Sequence, residues 1–248
     1  MAKFSKIPFS DLPDHFFPSN MPGKRFSSGS ELWLEDESDI FSDQLSLKII
    51  SKVPKGPPTL VRISKVTKTL NIKLNTHGSS LSFGSGCQGN WDVRLWPSSD
   101  LHVGDGSTSN STRVIVDNNC SISIGCDCMM SDNVLLECGD KHAIFSLDDN
   151  IQINGASSVM SIGDHCWLGR DSAVIASSKR LEFGSGSILG AKSVLTSSAN
   201  RFSLAVGCPA KVIKEKVSWS RHKQVSSKQI QEIISSIASL GDHFEQQA

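Results

Sequence analysis

Residues 162 to 175 read IGDHCWLGRDSAVI, with large apolar residues six apart at Ile162, Leu168 and Val174. A step of six matches neither the 3.6-residue turn of an α-helix nor the two-residue alternation of a simple strand. After three extra residues the step resumes at Phe183, Leu189 and Leu195, and upstream Ile124, Met130 and Leu136 form another set. Isolated units begin at Phe83, Val103 and Val116.

The unit has its own grammar. The residue after the large apolar one is Gly84, Gly104, Asp117, Gly125, Gly163, Gly169, Gly184 or Gly190, with Ser131 the exception, and small or acidic residues suit a tight corner. Four places after the apolar residue stand only compact side chains: Cys87, Ser107, Cys120, Cys128, Val134, Cys166, Ser172, Ser187 and Ser193. Each unit is too short to bury its apolar face alone, but stacked turns align the large residues into an interior column. The expected fold is therefore an all-β solenoid of repeated strand and corner. A β-sandwich has no reason to hold register at six.

Composition narrows the function classes. The chain has 248 residues, with Lys plus Arg and Asp plus Glu balanced at 25 each, so neither a nucleic-acid footprint nor another polyanion partner is predicted. The N-terminus lacks an apolar core of signal-peptide length, and no window reaches the apolar length of a membrane-spanning helix, which predicts a cytoplasmic protein without an integral membrane segment. Seven cysteines without a C-x-x-C pair predict reduced thiols, and four of them occupy the compact position of the repeat, a packing role. The CDC at 126 to 128 is a weak metal signal, and no metal is expected.

Three segments follow. Residues 1–57 carry scattered prolines and none of the six-residue grammar, and read as an irregular N-terminal segment. Residues 58–218 hold the solenoid, with LVRISKVTKTLNIKL at 60 to 74 as its start or as a cover for its first coil. Residues 219–248 form a C-terminal extension in which Ile230, Ile233, Ile234, Ile237 and Leu240 recur at helical spacing, with Ser226 or Ser227 as N-cap and Gly241 as stop.

The six-step is lost between Leu136 and Ile162, so this stretch should loop out from the wall, and loops on rigid scaffolds concentrate function. It contains DKHAI, with Asp140 two residues before His142, and it precedes Trp167, an indole that a solenoid does not need and that could wall a groove.

The hexapeptide grammar resembles that of hexapeptide-repeat acyltransferases, whose chain winds as a left-handed parallel β-helix with three units per coil. The ordered stretches IGCDCMMSDNVLLECGDKHAIFSLDDNIQIN, IGDHCWLGRDSAVI, FGSGSILGAKSVLT and VGCPAKVIKEKVSW, spanning about residues 78 to 219, are similar to those of family members that O-acetylate bacterial surface polysaccharides. The resemblance implies acetyl-CoA as co-substrate, a sugar or polysaccharide-precursor acceptor, a homotrimer with sites between subunits, and direct transfer without an acyl-enzyme. It implies His142 as catalytic base. It implies Trp167, Gly190 and Ala191, with Lys192 beside them, along the acetyl-CoA channel, and Pro209, Ala210 and Lys211 near its nucleotide end. Three departures stand out: Lys192 where a glycine is usual, Cys208 where an asparagine is usual, and three extra residues in ASSKRLE at 176 to 182.

An acceptor hydroxyl is a poor nucleophile near neutral pH, and an imidazole, with an ordinary pKa of about 6.5, can take its proton at hydrogen-bond range. Asp140 is a candidate to orient that ring, and His165 and Asn154 are candidate acceptor contacts, with solvated-turn roles as the alternative. Two other functions use such a scaffold. A zinc hydratase of the carbonic-anhydrase kind needs about three converging histidines, whereas His77, His102, His142 and His165 are scattered without an H-x4-H spacing. A non-catalytic solenoid that scaffolds an assembly needs no acetyl-CoA binding at all.

Overall fold

The computed structural model describes residues 3–17, 27–51, 57–177 and 180–239. Coils of about 20 residues stack in parallel register as the six-residue grammar implies, and the architecture is the left-handed parallel β-helix that the resemblance implies. One face carries Leu34, Ile63, Phe83, Val103, Ile124, Ile162 and Phe183 as a single inward column, each at most 1% exposed. A second face stacks Met129–Met130, Trp167–Leu168, Ile188–Leu189 and Ser203–Gly207. The third stacks Val134–Cys138, Ala173–Ala176 and Val194–Leu195. In the earlier coils Gln88–Leu95 and Thr108–Val116 run through both of these faces as one strand.

The corner after the first face explains the grammar. At Gly84, Gly104, Gly125, Gly163 and Gly184 a Cβ would lie 2.2 to 2.6 Å from atoms of the next coil. None of these five has a positive φ; the requirement is space, because adjacent coils touch backbone to backbone there. The left-handed residue comes two places later and is Gly86, Gly106, Asp127, His165 or Gly186. Four places after the apolar residue, the compact side chain also donates a hydrogen bond to the coil above. Cys87 reaches the Gly104 carbonyl at 3.1 Å, Ser107 that of Gly125 at 2.8 Å, Cys128 that of Gly163 at 3.1 Å and Cys166 that of Gly184 at 3.4 Å. Serine and cysteine interchange because both are small and both donate. Burial pushes the Cys87 thiol up to about 12, which disfavours the reactive thiolate and accords with a packing role.

The stack takes in more of the N-terminus than its prolines suggest. Glu31–Leu34 pairs in parallel with Leu60–Ile63, and Leu45–Ser51 with Leu70–Thr76, so a coil lies within residues 1–57, which are not irregular throughout. Ser5–Pro8 adds antiparallel to Glu31–Leu34, and Phe9, Leu12 and Phe16 are buried behind it. This cap closes the open end of the core, as a solenoid requires. At the other end Ser203–Gly207 and Ala210–Glu215 form an antiparallel pair. The helix Ser227–Ser239 follows, with Ser226 and Gln229 in a reciprocal capping box: the Gln229 amide donates to Ser226 Oγ at 3.3 Å and the Ser226 amide to Gln229 Oε1 at 2.8 Å. Leu240 and Gly241 of the expected helix, and Ser178 and Lys179 of the extra-residue stretch, lie outside the described residues. Among those described, no helix is long and apolar enough to cross a membrane.

The two kinds of corner glycine should respond differently to a methyl group. Gly104→Ala would place Cβ 2.6 to 2.8 Å from backbone atoms of Gly125 and Cys126, which cannot rotate away, and is expected to cost about 3 kcal/mol or more. Gly106→Ala meets open space at a φ of 68° and should cost about 1 kcal/mol. Urea unfolding of both variants measures the difference; equal losses would contradict the close-approach explanation.

Candidate active site

The loop that breaks the repeat leaves from the corner between the third and first faces. Stacked residues of neighbouring coils are 21 positions apart across Asp164 and Ser185 but 38 apart across Cys126 and Asp164, and the surplus is this excursion. It is folded. Ser146 and Ile151, and Ile144 and Ile153, are joined by backbone hydrogen bonds of 2.9 and 2.8 Å, and Phe145 pairs antiparallel with Gln152.

Asn154 ties the base of the loop together. Its Nδ2 donates to the His142 carbonyl at 2.9 Å and to Asp140 Oδ2 at 3.3 Å, while its Oδ1 accepts from the Ile144 amide at 2.8 Å and from Gln152 Nε2 at 3.1 Å. The Asn154 amide, expected as an acceptor contact, is thus occupied in fixing the backbone on both sides of His142. His142 itself is exposed and lines an open cavity of about 340 Å³ with Asp117, Asp140 and Asn154. Lys141 also lines this cavity, and its ammonium pairs with Glu137 at 3.9 Å and lies over the Trp96 ring.

The expected cofactor residues gather at a different edge. Trp167 is 36% exposed on the second face, in register with Ile188 one coil on. The corner of Gly190, Ala191 and Lys192 stacks on that of Gly169, Arg170 and Asp171, and a Cβ on Gly190 would meet Val206 at 2.8 Å. Pro209, Ala210 and Lys211 turn beside them, with Gly207 donating to Ser193 Oγ at 2.9 Å. An exposed indole, minimal side chains along an edge and the exposed Lys192 and Lys211 fit a slender acyl carrier that ends in phosphates. Lys192, at the position where glycine is usual, has a φ of 59° and reaches Asp171 Oδ2 at 3.2 Å. The His142 cavity is lined by neither Trp167 nor residues 190–192 or 209–211.

His165 proves to be neither a solvated turn nor open to solvent. It holds the left-handed corner position with a φ of 51° and is 6% exposed. Its Nε2 faces the Trp219 carbonyl at 3.0 Å, its Nδ1 faces Asp127 Oδ2 at 2.7 Å, and its ring stacks on Trp219 with centroids 4.4 Å apart. Trp219 Nε1 returns a hydrogen bond to the His165 carbonyl at 2.7 Å, and Arg221 clasps Asp127 Oδ1 at 2.9 and 3.0 Å. This latch fastens the segment after Ala210–Glu215 against the corner, and places Trp219 6.0 Å from Trp167. Sequence reading missed Asp127, Trp219 and Arg221, because partners 54 and 94 positions apart leave no local signal.

A solenoid of hexapeptide coils with an excursion carrying a rim histidine is the class of protein defined by this geometry. The chain is 28% identical over 130 residues to the polysialic acid O-acetyltransferase of Escherichia coli O1:K1 / APEC, a match covering 52% of this chain and 41% of that one. It is 32% identical over 75 residues to the polysialic acid O-acetyltransferase of Neisseria meningitidis, covering 30% and 34%. The matches thus span about two fifths and one third of these curated relatives. Among solved structures, the polySia specific acetyltransferase NeuO superposes with a TM-score of 0.64 at 24% identity, over 77% of this chain and 90% of that one. The polysialic acid O-acetyltransferase OatWY gives 0.62 at 22%, over 79% and 93%. The fold is shared with both. No protein-family profile matches the chain.

The latch makes a pH prediction. Burial works against the charged Asp127 carboxylate, but the hydrogen bonds from His165 and Arg221 outweigh it and hold its pKa below the ordinary value. A carboxyl lowered in the folded state adds stability that is complete above its unfolded pKa, about 3.9, and is lost as pH falls through the folded value. Asp127→Asn should therefore melt at a lower temperature than the wild type at pH 7, and the gap should close below about pH 4. A gap independent of pH would remove the ionised carboxylate from the latch.

Proposed function

We propose that the protein is an acetyl-CoA-dependent O-acetyltransferase acting on a hydroxyl of a sugar in a polysaccharide or its precursor, with His142 as general base and direct transfer. The observation that carries this reading is the site of His142: on the rim of an open polar cavity, its backbone carbonyl held by Asn154, whose amide also donates to Asp140. The names of the relatives support the acetyl donor and the polysaccharide acceptor.

The chemistry asks one thing of His142, a ring nitrogen within about 2.6 to 3.2 Å of the acceptor hydroxyl. The imidazole takes the hydroxyl proton as the oxygen bonds to the acetyl carbon, and gives it to the sulfur as the carbon–sulfur bond breaks. Acetyl-CoA supplies the thioester. Trp167 and the small residues at 190 and 191 hold its arm along the edge, and Lys192 and Lys211 face its phosphates. Fixing the His142 backbone matters because a well-positioned base contributes about 100- to 10,000-fold, and holding both reactants in one groove adds to that.

One chain brings the rim histidine and the indole edge to different corners, so the reading also requires a neighbour. The excursion is built to meet one. Ile144, Phe145, Leu147, Ile151 and Ile153 are all more than half exposed, Leu147 at 82%. Such a dense apolar surface on a small loop marks an interaction site, and a second copy whose Trp167 edge faces His142 both covers it and completes the site. The homotrimer implied by the resemblance provides that geometry.

Purified protein given acetyl-CoA and sialic acid polymer should release CoA, and His142→Ala should lower kcat at least about 100-fold with an unchanged thermal midpoint. Undiminished turnover in that variant would remove His142 from the mechanism, and a lack of acetyl-CoA binding by calorimetry would favour a scaffold instead. Phe145→Asp combined with Leu147→Asp should convert trimers to monomers by light scattering and abolish turnover. Active monomers would refute the shared site.

A further inference from the structure

A cavity of about 550 Å³, separate from that of His142, opens on the surface of the long strands that run through the second and third faces. It is built from outward positions in strict register. Lys48, Lys73, Asp92 and Arg113 form one column across four successive strands, and Asn71 and Asn90 form part of the column beside it. Successive members stand about 4.8 Å apart, so the charged column covers about 14 Å.

The charges in this column do not balance. Asp92 is already engaged by Arg113 at 3.0 Å and by Arg94 at 3.6 Å. Lys48 and Lys73 lie side by side on adjacent strands, and the one acid in their column, Asp92 beside Lys73, is taken up by the two arginines, which leaves the lysine pair to be offset by an anion lying across it. Lys48 is spread toward the His15 carbonyl, and Lys73 has no hydrogen bond or ion pair among the described residues. Beside them Asn71 donates to Asn90 Oδ1 at 3.0 Å, and side-chain amides of this kind keep donor and acceptor capacity for further bonds.

The cavity also leads somewhere. Its wall reaches Leu135 on the strand Val134–Cys138, and that strand runs on to Gly139 at the edge of the His142 cavity, four residues or about 13 Å further. We infer that this cavity is a subsite for a carboxylated polysaccharide, with Lys48 and Lys73 taking successive carboxylates and the amide row taking sugar hydroxyls, so that the polymer is held while one of its sugars reaches His142. The inference rests on the acetyltransferase reading for its role and on the unbalanced column for its ligand. A net charge of zero over the whole chain conceals it.

The test measures binding and turnover separately on the full chain. Sialic acid polymer should bind the wild type with an affinity that falls as salt rises, and Lys48→Glu combined with Lys73→Glu should weaken it at least tenfold; the Gln pair should fall between. Thermal midpoints should be unchanged, both lysines being exposed. In turnover, the KM for polymer should rise at least tenfold while kcat and the KM for acetyl-CoA stay within twofold. Unchanged polymer affinity in the Glu pair overturns the subsite, as does equal wild-type binding of dextran or single-stranded DNA. Tighter binding of a phosphodiester-linked glycan overturns the carboxylate assignment. Binding needs no transfer, so a protein that holds the polymer by these lysines but releases no CoA would count against the proposed function and for the subsite.

Discussion

Adjacent coils touch backbone to backbone at one corner, and the rest of the molecule is arranged around that contact. The glycine column there leaves no space for a Cβ, and the Ser or Cys three places on stitches each coil to the carbonyl above it. With that seam fixed, the inward column from Leu34 to Phe183 stays in register and buried. The other two corners are less uniform, although Gly169 at one of them also lies too close to the next coil for a Cβ. They accept Asn133, Asp171 and Lys192 at left-handed positions on one edge and the long excursion at the other.

This division explains what could be read in the sequence. From Ile124 to Leu189 the first two corners of each coil carry a small residue directly after the large apolar one, so the step of six is visible and the coil stack follows from it. Before Ile124 the strands Gln88–Leu95 and Thr108–Val116 pass the second corner as single strands, with a register shift between Gly89 and Trp91, and the positions six beyond Phe83 and Val103 are Gly89 and Ser109 rather than large apolar residues. Phe83 and Val103 therefore looked isolated although they sit in the same column as Ile124. In the first coil, prolines and connecting residues diluted the alternation of ELWL and LSLKIIS, which pair like any later strand.

The site was legible where it is local. Asp140, His142 and Asn154 fall within one excursion, and the structure joins them in one cavity, although Asn154 serves the loop's own backbone. The latch was not legible. Glycine or aspartate fills the left-handed corner position in neighbouring coils, so a histidine there costs conformational energy, and only the remote Trp219 and Arg221 show what compensates it. Sequence composition likewise averages over the surface, and a balanced count of charges says nothing about two lysines placed on adjoining rungs.

The seam and the excursion sit at opposite ends of the first face, and that separation has an evolutionary consequence. A chain segment can lengthen, shorten or be exchanged at the corner holding His142 while the hydrogen-bond ladder between Ser121–Ile124 and Val159–Ile162 closes as though nothing had been added. The excursion can thus change by exchange of one hairpin, with the load of folding carried elsewhere. The scaffold is in this sense modular: the hairpin is mounted on it like a replaceable head.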